Sequence, residues 1–266
     1  MALINAHGEV VAPSVKVMVA VPCGEMVHAD FMYDITRMVG YTALTAPTIG
    51  ILLYHVKGTY LPRARAALAN EAVAQGCTHI LWLDSDMRFP KDTLLRLLAH
   101  GEQLVAANYP TRQPPFIPTA MDNDYQPVFS GEGLSEVRVC GMGVMLTSCA
   151  VFHKIGKPYF ALGYNKKDDD YAGEDAFFCE SARKAGLRVL IDWALSAEVG
   201  HGGQEHGRDR RADPDKNAAL PPRELSQPVR SARWTGHDRF VVQVAADVLG
   251  ESAGSGIAAR PILLHR

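Results

Sequence analysis

The sequence is poor in the features that mark secreted and membrane-spanning proteins. Its five cysteines are odd in number, scattered, and form no Cys-x-x-Cys pair. This pattern argues against a disulfide framework and a zinc site, and for a reducing compartment. Residues 1–14 lack a basic start followed by an apolar core, and no apolar run approaches the roughly 20 residues that span a bilayer. We therefore expect a soluble cytoplasmic protein with no signal peptide and no membrane span.

The chain also lacks an excess of charge of either sign. It contains 27 Lys and Arg against 29 Asp and Glu, for a formal net charge of −2 and a pI near 6.5. The net charge of the chain therefore does not favour binding to nucleic acid or to an anionic membrane. A content of 47% hydrophobic and 21% charged residues is that of an ordinary globular protein. The 266 residues suffice for one large domain, with or without an appendage.

Strand and helix signals alternate through the first part of the chain. Short apolar runs predict strands, and segments with helical start and stop residues predict helices. The predicted strands are 15–21, 48–54, 78–83 and 103–107. The predicted helices are 27–38, 62–75 and 91–100. This alternation, with short connections, predicts an α/β fold with a mostly parallel sheet flanked by helices.

The pattern is less regular after residue 108. Pro, Asp, Gly and aromatic residues in 109–136 predict a long loop or small hairpin over the ligand edge of the sheet. The segments that follow are predicted as a glycine-interrupted strand over 137–147, a helix over 174–185 and a strand over 187–192. Polar composition beyond residue 203 predicts a flexible C-terminal extension, with an arm to about 233, a possible helix over 237–249 and a tail. We therefore divide the chain into a catalytic domain, 1–203, and an extension, 204–266.

The most informative stretch is the apolar strand that ends in Asp84, Ser85 and Asp86. Such a strand delivers both carboxylates to the carboxyl edge of a sheet, where open α/β folds bind ligands. Carboxylate oxygens suit Mg²⁺ or Mn²⁺, and these cations suit a diphosphate. Three other Asp-x-Asp triplets lie in polar, turn-rich stretches and are expected to be solvated loops: Asp122/Asp124, Asp168/Asp170 and Asp213/Asp215.

Several motifs in one order carry a family resemblance. They are Leu61-Pro62-Arg63-Ala64-Arg65, Asp84-Ser85-Asp86, Gly141-Met142-Gly143, Gly173-Glu174-Asp175 and the glycine-flanked His201. With them the sequence resembles the GT-A glycosyltransferases, particularly the small family 2-like enzymes of bacteria and phages. The resemblance covers roughly residues 15–203 and implies a Rossmann-like GT-A fold.

The resemblance implies a metal site. Asp86 would ligate Mn²⁺ or Mg²⁺, and Asp84 would reach the metal or the ribose of the donor. The cation would neutralise charge as the nucleoside diphosphate departs. A neutral imidazole is a reasonable third ligand, which favours His201, with His206 as a competitor. The alternative is a strand-end turn whose aspartates cap the following helix.

The resemblance also implies a catalytic base. In an inverting enzyme, Asp175 would deprotonate the acceptor hydroxyl as it attacks the anomeric carbon, and Glu174 would orient the acceptor or support the loop. The alternative is that both side chains only stabilise the first turn of a helix through its dipole.

The family resemblance also assigns further residues to the binding of the donor nucleotide sugar. Arg65 would lie against the nucleotide or the aspartates; the alternative is a position on a solvated helix face. Gly141 and Gly143 would let backbone amides approach the sugar, unless they mark a β-bulge. The remaining assignments are Ser85 in the metal triplet, Arg112 at the diphosphate or acceptor, and Pro22, Cys23 and Gly24 at the base.

The leading hypothesis is a metal-dependent glycosyltransferase that moves a sugar from a nucleotide diphosphate sugar to a hydroxyl acceptor. That acceptor is a glycan, a small molecule or a hydroxymethylated base in DNA. The enzymatic alternatives are a haloacid-dehalogenase-like phosphatase, which usually carries Asp-x-Asp on its first strand, and a nucleotidyltransferase. The non-enzymatic alternative is a nucleic-acid-binding module that uses the arginines of 208–233, although acidic residues are interleaved there.

Overall fold

The computed structural model describes residues 3–4, 10–11, 14–165 and 169–202. The predicted arm, terminal helix and tail, and with them His206 and Asp213/Asp215, lie outside the described residues. In the part of the chain that the structure describes, no helix combines the length and apolar composition that a bilayer crossing requires. All five cysteines are described, and each is buried with a free thiol.

The described residues form thirteen strands and six helices. The strands are β1 (Leu3–Ile4), β2 (Val10–Val11), β3 (Val15–Cys23), β4 (Ile49–Lys57), β5 (His79–Leu83), β6 (Met87–Arg88), β7 (Leu104–Ala106), β8 (Leu134–Val137), β9 (Val144–Ser148), β10 (Gly163–Asn165), β11 (Asp170–Ala172), β12 (Val189–Asp192) and β13 (Gly200–His201). The helices are α1 (Ala29–Thr45), α2 (Leu61–Ala74), α3 (Thr93–Ala99), α4 (Ala150–Ile155), α5 (Glu174–Lys184) and α6 (Trp193–Ser196).

A seven-stranded sheet lies at the centre, in the order β4-β3-β5-β9-β7-β12-β8. Strand β3 is parallel to both β4 and β5, and β7 is parallel to β12. Strand β9 is antiparallel to β5 and β7, and β8 is antiparallel to β12. Five of the seven strands therefore run in one direction, which confirms the predicted mostly parallel α/β sheet.

Alternating residues of the sheet build two cores, one on each face, because successive strand side chains point to opposite sides. Ile80 and Trp82 of β5 belong to the core that contains residues of α2, α4 and α5. Leu81 and Leu83 belong to the core that contains residues of α1, α3 and α6. The sheet is thus covered by helices on both faces, and β5 is buried between them.

The prediction of one interrupted strand over 137–147 is wrong. The chain forms two strands, β8 at the edge of the sheet and β9 between β5 and β7. Between them, Val139 accepts a backbone hydrogen bond from Met121 (2.9 Å), so this segment pairs with the preceding loop instead of with the sheet. Gly141 and Gly143 lie in this segment between the two strands, and glycine weakens a strand interior.

The other strands and helices predicted between 15 and 192 are present, with shifted ends. The largest shift is in α1, which begins two residues later than predicted and continues to Thr45. Its buried face continues through Met38 and Thr42, which explains the extension. The two-residue strands β6 and β13 were not predicted, because so short a segment has no readable periodicity.

The position of β9 inside the sheet leads to a stability prediction. Leu146 in β9 is 1% exposed, so we expect Leu146→Ala to lower the free energy of unfolding by about 2–5 kcal/mol through lost burial and a cavity. The matched control is Leu44→Ala in α1, where the leucine is 79% exposed and a change within about 0.5 kcal/mol is expected. Urea unfolding measures both. Equal effects would contradict the burial of β9.

Candidate functional site

One buried arginine joins three elements at the carboxyl edge of the sheet. Arg65 of α2 is 2% exposed. Its Nη2 donates to Asp84 Oδ1 after β5 (2.9 Å), and its Nε donates to Glu174 Oε1 at the start of α5 (3.0 Å). The structure thus brings together three of the predicted site residues, and the alternative that Arg65 lies on a solvated helix face is wrong.

The two carboxylates keep this arginine charged. Burial by itself lowers the pKa of Arg65, but the charges of Asp84 and Glu174 outweigh it and raise that pKa. The guanidinium also lies 5.8 Å from the centre of the Trp82 ring, a cation–π distance. Its Nη1 is buried and has no hydrogen-bond partner among the described residues.

Asp86 is a second buried carboxylate, and different cations face it. It is 6% exposed and forms an ion pair with Nη2 of Arg112. Nδ1 of His201 lies 3.3 Å from its Oδ2. Burial raises the pKa of Asp86, but His201 and Arg112 outweigh this and hold the pKa below its ordinary value. The side chain is therefore ionised at neutral pH.

His201 is held beside Asp86 by a small antiparallel pairing of β13 with β6. Gly200 pairs with Arg88 and His201 with Met87, and the Gly202 amide donates to the Asp86 carbonyl (2.7 Å). Nδ1 of His201 is buried without a hydrogen-bond partner in the described part of the chain. The 3.3 Å separation from Asp86 Oδ2 leaves this nitrogen facing a carboxylate without a well-aligned hydrogen bond, a position suited to sharing a metal ion with that carboxylate.

Asp175 lies in the first turn of α5, next to the residue that binds Arg65. Its Oδ1 accepts a hydrogen bond from the Ala176 amide (2.7 Å). Burial and the neighbouring charge of Glu174 raise the pKa of Asp175, while the Ala176 amide and Arg65 act in the opposite direction. A carboxylate with a raised pKa binds a proton more readily, as a general base requires.

The sequence analysis missed Tyr109, which is buried at the centre of this site. Its Oη accepts a hydrogen bond from the Gly143 amide (2.7 Å), and its ring packs edge-on against His201 at 5.3 Å between centroids. Burial and the charges of Asp84 and Asp175 raise the pKa of Tyr109, so it stays a neutral phenol. A lone tyrosine after a strand gives no sequence signal for such a position.

Tyr109 also changes the interpretation of the two glycines. A Cβ at Gly141 would lie 2.3 Å from Tyr109 Oη, and a Cβ at Gly143 would lie 2.6 Å from it. The Gly143 carbonyl accepts from the Asp84 amide (3.0 Å). The glycines therefore leave room for the tyrosine, and Gly143 connects it to Asp84. The approach of the glycine amides to a donor sugar stays a prediction.

The residues assigned to the nucleotide base, together with Ser85, take part in none of the side-chain contacts described above. Pro22 and Cys23 are buried at the end of β3, and Gly24 is exposed. The Cys23 carbonyl accepts from the Gly58 amide (3.0 Å). The carbonyl of Ser85 accepts from the His28 amide (3.1 Å), which fixes the turn between the two aspartates. A role for these residues toward a nucleotide stays a prediction.

The described residues contain no group of three His, Cys, Asp or Glu side chains that meets as a metal-binding cluster. Instead, Asp84 is neutralised by Arg65 and Asp86 by Arg112. The two arginines differ greatly in exposure, with Arg65 at 2% and Arg112 at 62%. A cavity of about 430 Å³ lies elsewhere in the described structure. None of the predicted site residues lines this cavity, whose lining residues are Ala66, Asn70, Lys157, Pro158, Tyr159 and Phe160.

Comparison with known proteins assigns no family. No family model matches the sequence, and no curated protein matches it. Among solved structures, A197 from STIV aligns over 75% of this chain and 100% of its own length, with 12% identity and a TM-score of 0.47. That level of similarity is too low to assign an activity.

The raised pKa of Asp175 leads to a prediction about stability and pH. Because the folded protein holds this proton more tightly than the unfolded chain, the ionised carboxylate destabilises the fold above its raised pKa. We therefore expect Asp175→Asn to melt at a higher temperature than the native protein at pH 7. The difference should shrink as the pH falls toward about 4, where carboxyl groups ordinarily titrate.

The control for this measurement is Asp124→Asn, since Asp124 is exposed in a loop. We expect this variant to melt with the native protein across the same pH range. An Asp175→Asn protein that is no more stable than the native protein at pH 7 would contradict the unfavourable burial of the charge.

Proposed function

We propose that the protein is a metal-dependent glycosyltransferase that moves a sugar from a nucleoside diphosphate sugar to a hydroxyl acceptor, with inversion. One observation carries the proposal. Arg65 binds both Asp84 and Glu174, and so brings the two acidic motifs of the resemblance to one edge of the sheet. Asp86, two residues after Asp84, is the proposed metal ligand. Asp175, directly after Glu174, is the proposed base.

Asp86 and His201 fit Mn²⁺ or Mg²⁺ by their chemistry. One offers a buried, ionised carboxylate, and the other offers a buried nitrogen without a hydrogen bond. Asp84 does not meet them in a three-residue cluster, and its charge is already balanced by Arg65, so we assign it to the ribose of the donor or to the edge of the metal site. When bound, the cation would neutralise the negative charge that develops on the departing diphosphate.

Arg112 is assigned to the diphosphate of the donor. Its guanidinium lies on Asp86, and 62% of its side chain is exposed, so it is accessible to a ligand at this edge. A guanidinium binds phosphate oxygens through charge-assisted hydrogen bonds. The buried Arg65, by contrast, is assigned to hold the carboxylates.

Asp175 is assigned as the general base. The acceptor oxygen would form a bond to the anomeric carbon while its proton moves to the Asp175 carboxylate. The bond from that carbon to the diphosphate oxygen would break, and its electron pair would leave with the nucleoside diphosphate. Glu174 accepts from Arg65 and is 8% exposed, which favours support of the loop over contact with the acceptor.

The donor site can be tested by thermal stabilisation. A ligand that binds only the folded protein stabilises it by about 2.7 kcal/mol at 100 times its Kd, or several degrees in Tm for a chain of this size. We expect one of UDP, GDP and dTDP to raise Tm only when Mn²⁺ is present. Asp86→Ala should abolish that rise, because it removes the carboxylate proposed to hold the metal.

The matched control is Asp124→Ala, which removes an aspartate from an Asp-x-Asp triplet in a loop. This variant should keep the full Mn²⁺-dependent rise. A rise that is independent of Mn²⁺, or one that survives Asp86→Ala, would contradict the proposed metal site. The absence of any rise with the native protein would contradict the donor site as a whole.

A further inference from the structure

The pairing that holds His201 beside Asp86 leaves the direction of its imidazole open. Strand β13 has two residues, and its ladder with β6 fixes only the backbone of His201. A histidine that binds a metal ion is normally oriented by a hydrogen bond from its second ring nitrogen to a carboxylate, carbonyl or water. Among the described residues, none makes such a hydrogen bond with Nε2 of His201. Packing contacts are therefore needed to hold Nδ1 toward Asp86.

The ring of Tyr109 supplies such a packing contact. It meets the His201 ring edge-on, with 5.3 Å between the centroids and 90° between the planes. Aromatic rings at this separation prefer an edge-to-face arrangement, so turning the imidazole out of it costs free energy. The His201 side chain is 11% exposed and Tyr109 is 6% exposed, so the contact is shielded from water. The Tyr109 ring thus limits the directions that Nδ1 of His201 can take.

Tyr109 can serve as a rigid support because both of its ends are held. At one end, its hydroxyl accepts a hydrogen bond from the Gly143 amide (2.7 Å). The Gly143 carbonyl in turn accepts a hydrogen bond from the Asp84 amide (3.0 Å). At the other end, the carbonyl of Tyr109 accepts a hydrogen bond from the Thr119 amide (3.0 Å). One buried side chain therefore links the turn that begins at Asp84 to the imidazole of His201.

We propose that Tyr109 is a positioning residue of the metal site, and that its ring holds the His201 imidazole with Nδ1 toward Asp86. The inference rests on the proposed function, in which Asp86 and His201 bind the cation, and it adds a residue that acts through His201. The ring carries this role, and the hydroxyl only anchors the ring. Tyr109→Phe and Tyr109→Leu separate the two groups, because both variants lose the hydroxyl and only the second loses the ring.

The positioning role can be tested by the affinity of the full chain for Mn²⁺, measured by calorimetry with the cation alone and with UDP, GDP or dTDP present. Electron spin-echo modulation of the bound Mn²⁺ detects a coordinated imidazole nitrogen. We expect this nitrogen signal in the native protein and its loss in His201→Ala. Tyr109→Phe should keep the signal and nearly the native affinity. Tyr109→Leu should bind Mn²⁺ about tenfold or more weakly, with a reduced nitrogen signal, as is common when the group that orients a metal ligand is lost.

The matched control is Phe152→Leu, which removes another buried ring (1% exposed) from the core on the opposite face of the sheet. This variant should have a lower Tm and an unchanged affinity for Mn²⁺. If Tyr109→Leu does not fold, Gly141→Ala takes its place, because the added Cβ would lie 2.3 Å from Tyr109 Oη and must move the ring. We expect Gly141→Ala to weaken Mn²⁺ binding, and Tyr109→Phe in the same chain to restore it in part.

The Mn²⁺ titrations separate the positioning role from the proposed function. Weak binding by Tyr109→Leu, with native binding by Tyr109→Phe and Phe152→Leu, would support the positioning role. Native binding by Tyr109→Leu or Gly141→Ala, or equal weakening in the two Tyr109 variants, would overturn that role and retain the metal site. A native protein that binds no Mn²⁺ under any of these conditions, or binds it equally well after His201→Ala, would overturn the metal site of the proposed function and the positioning role together.

Discussion

The buried guanidinium of Arg65 is the constraint on which the site depends. A charge at 2% exposure is tolerated only when it is paired and hydrogen-bonded, and removing one partner of such a pair commonly costs about 3–5 kcal/mol. Asp84 and Glu174 are the partners, and they come from the end of β5 and the start of α5. The requirement to pair the Arg65 cation thus fixes two distant chain segments at one edge of the sheet. Asp86 and Asp175, which follow the two partners in the chain, are thereby placed at the same edge.

The two aspartates after β5 are neutralised in different ways, and the difference has a functional meaning. Asp84 faces a buried arginine that no solvent or ligand can readily replace. Asp86 faces Arg112, whose side chain is largely exposed, and His201, whose Nδ1 lacks a hydrogen bond. The first pair is suited to hold the site together. In the second pair, Arg112 can leave Asp86 when a cation and a diphosphate arrive, because the arginine side chain is largely exposed and its movement disturbs little buried packing.

The sequence predicted the strands and helices that depend on a local pattern of residues. The strand before Asp84 and the helix that begins at Glu174 follow from apolar runs and helix start signals, and both are confirmed. The absence of a strand over 138–143 and the position of β9 between β5 and β7 depend on pairing partners far along the chain, which periodicity does not encode. The same holds for Tyr109, whose hydroxyl fills the space left by two glycines 32 and 34 residues later. The resemblance predicts that Arg65 lies against the nucleotide or the aspartates, whereas its contact with Glu174 was not predicted.

Diffraction from crystals grown with Mn²⁺ and the stabilising nucleoside diphosphate tests the central claim most directly. The anomalous signal of manganese locates the ion independently of any assumption about the site. We predict a peak within coordination distance of an Asp86 oxygen and His201 Nδ1, with Arg112 moved from Asp86 and Arg65 still bound to Asp84 and Glu174. A manganese ion bound elsewhere, or an Arg112–Asp86 pair that persists beside bound nucleotide, would contradict the account.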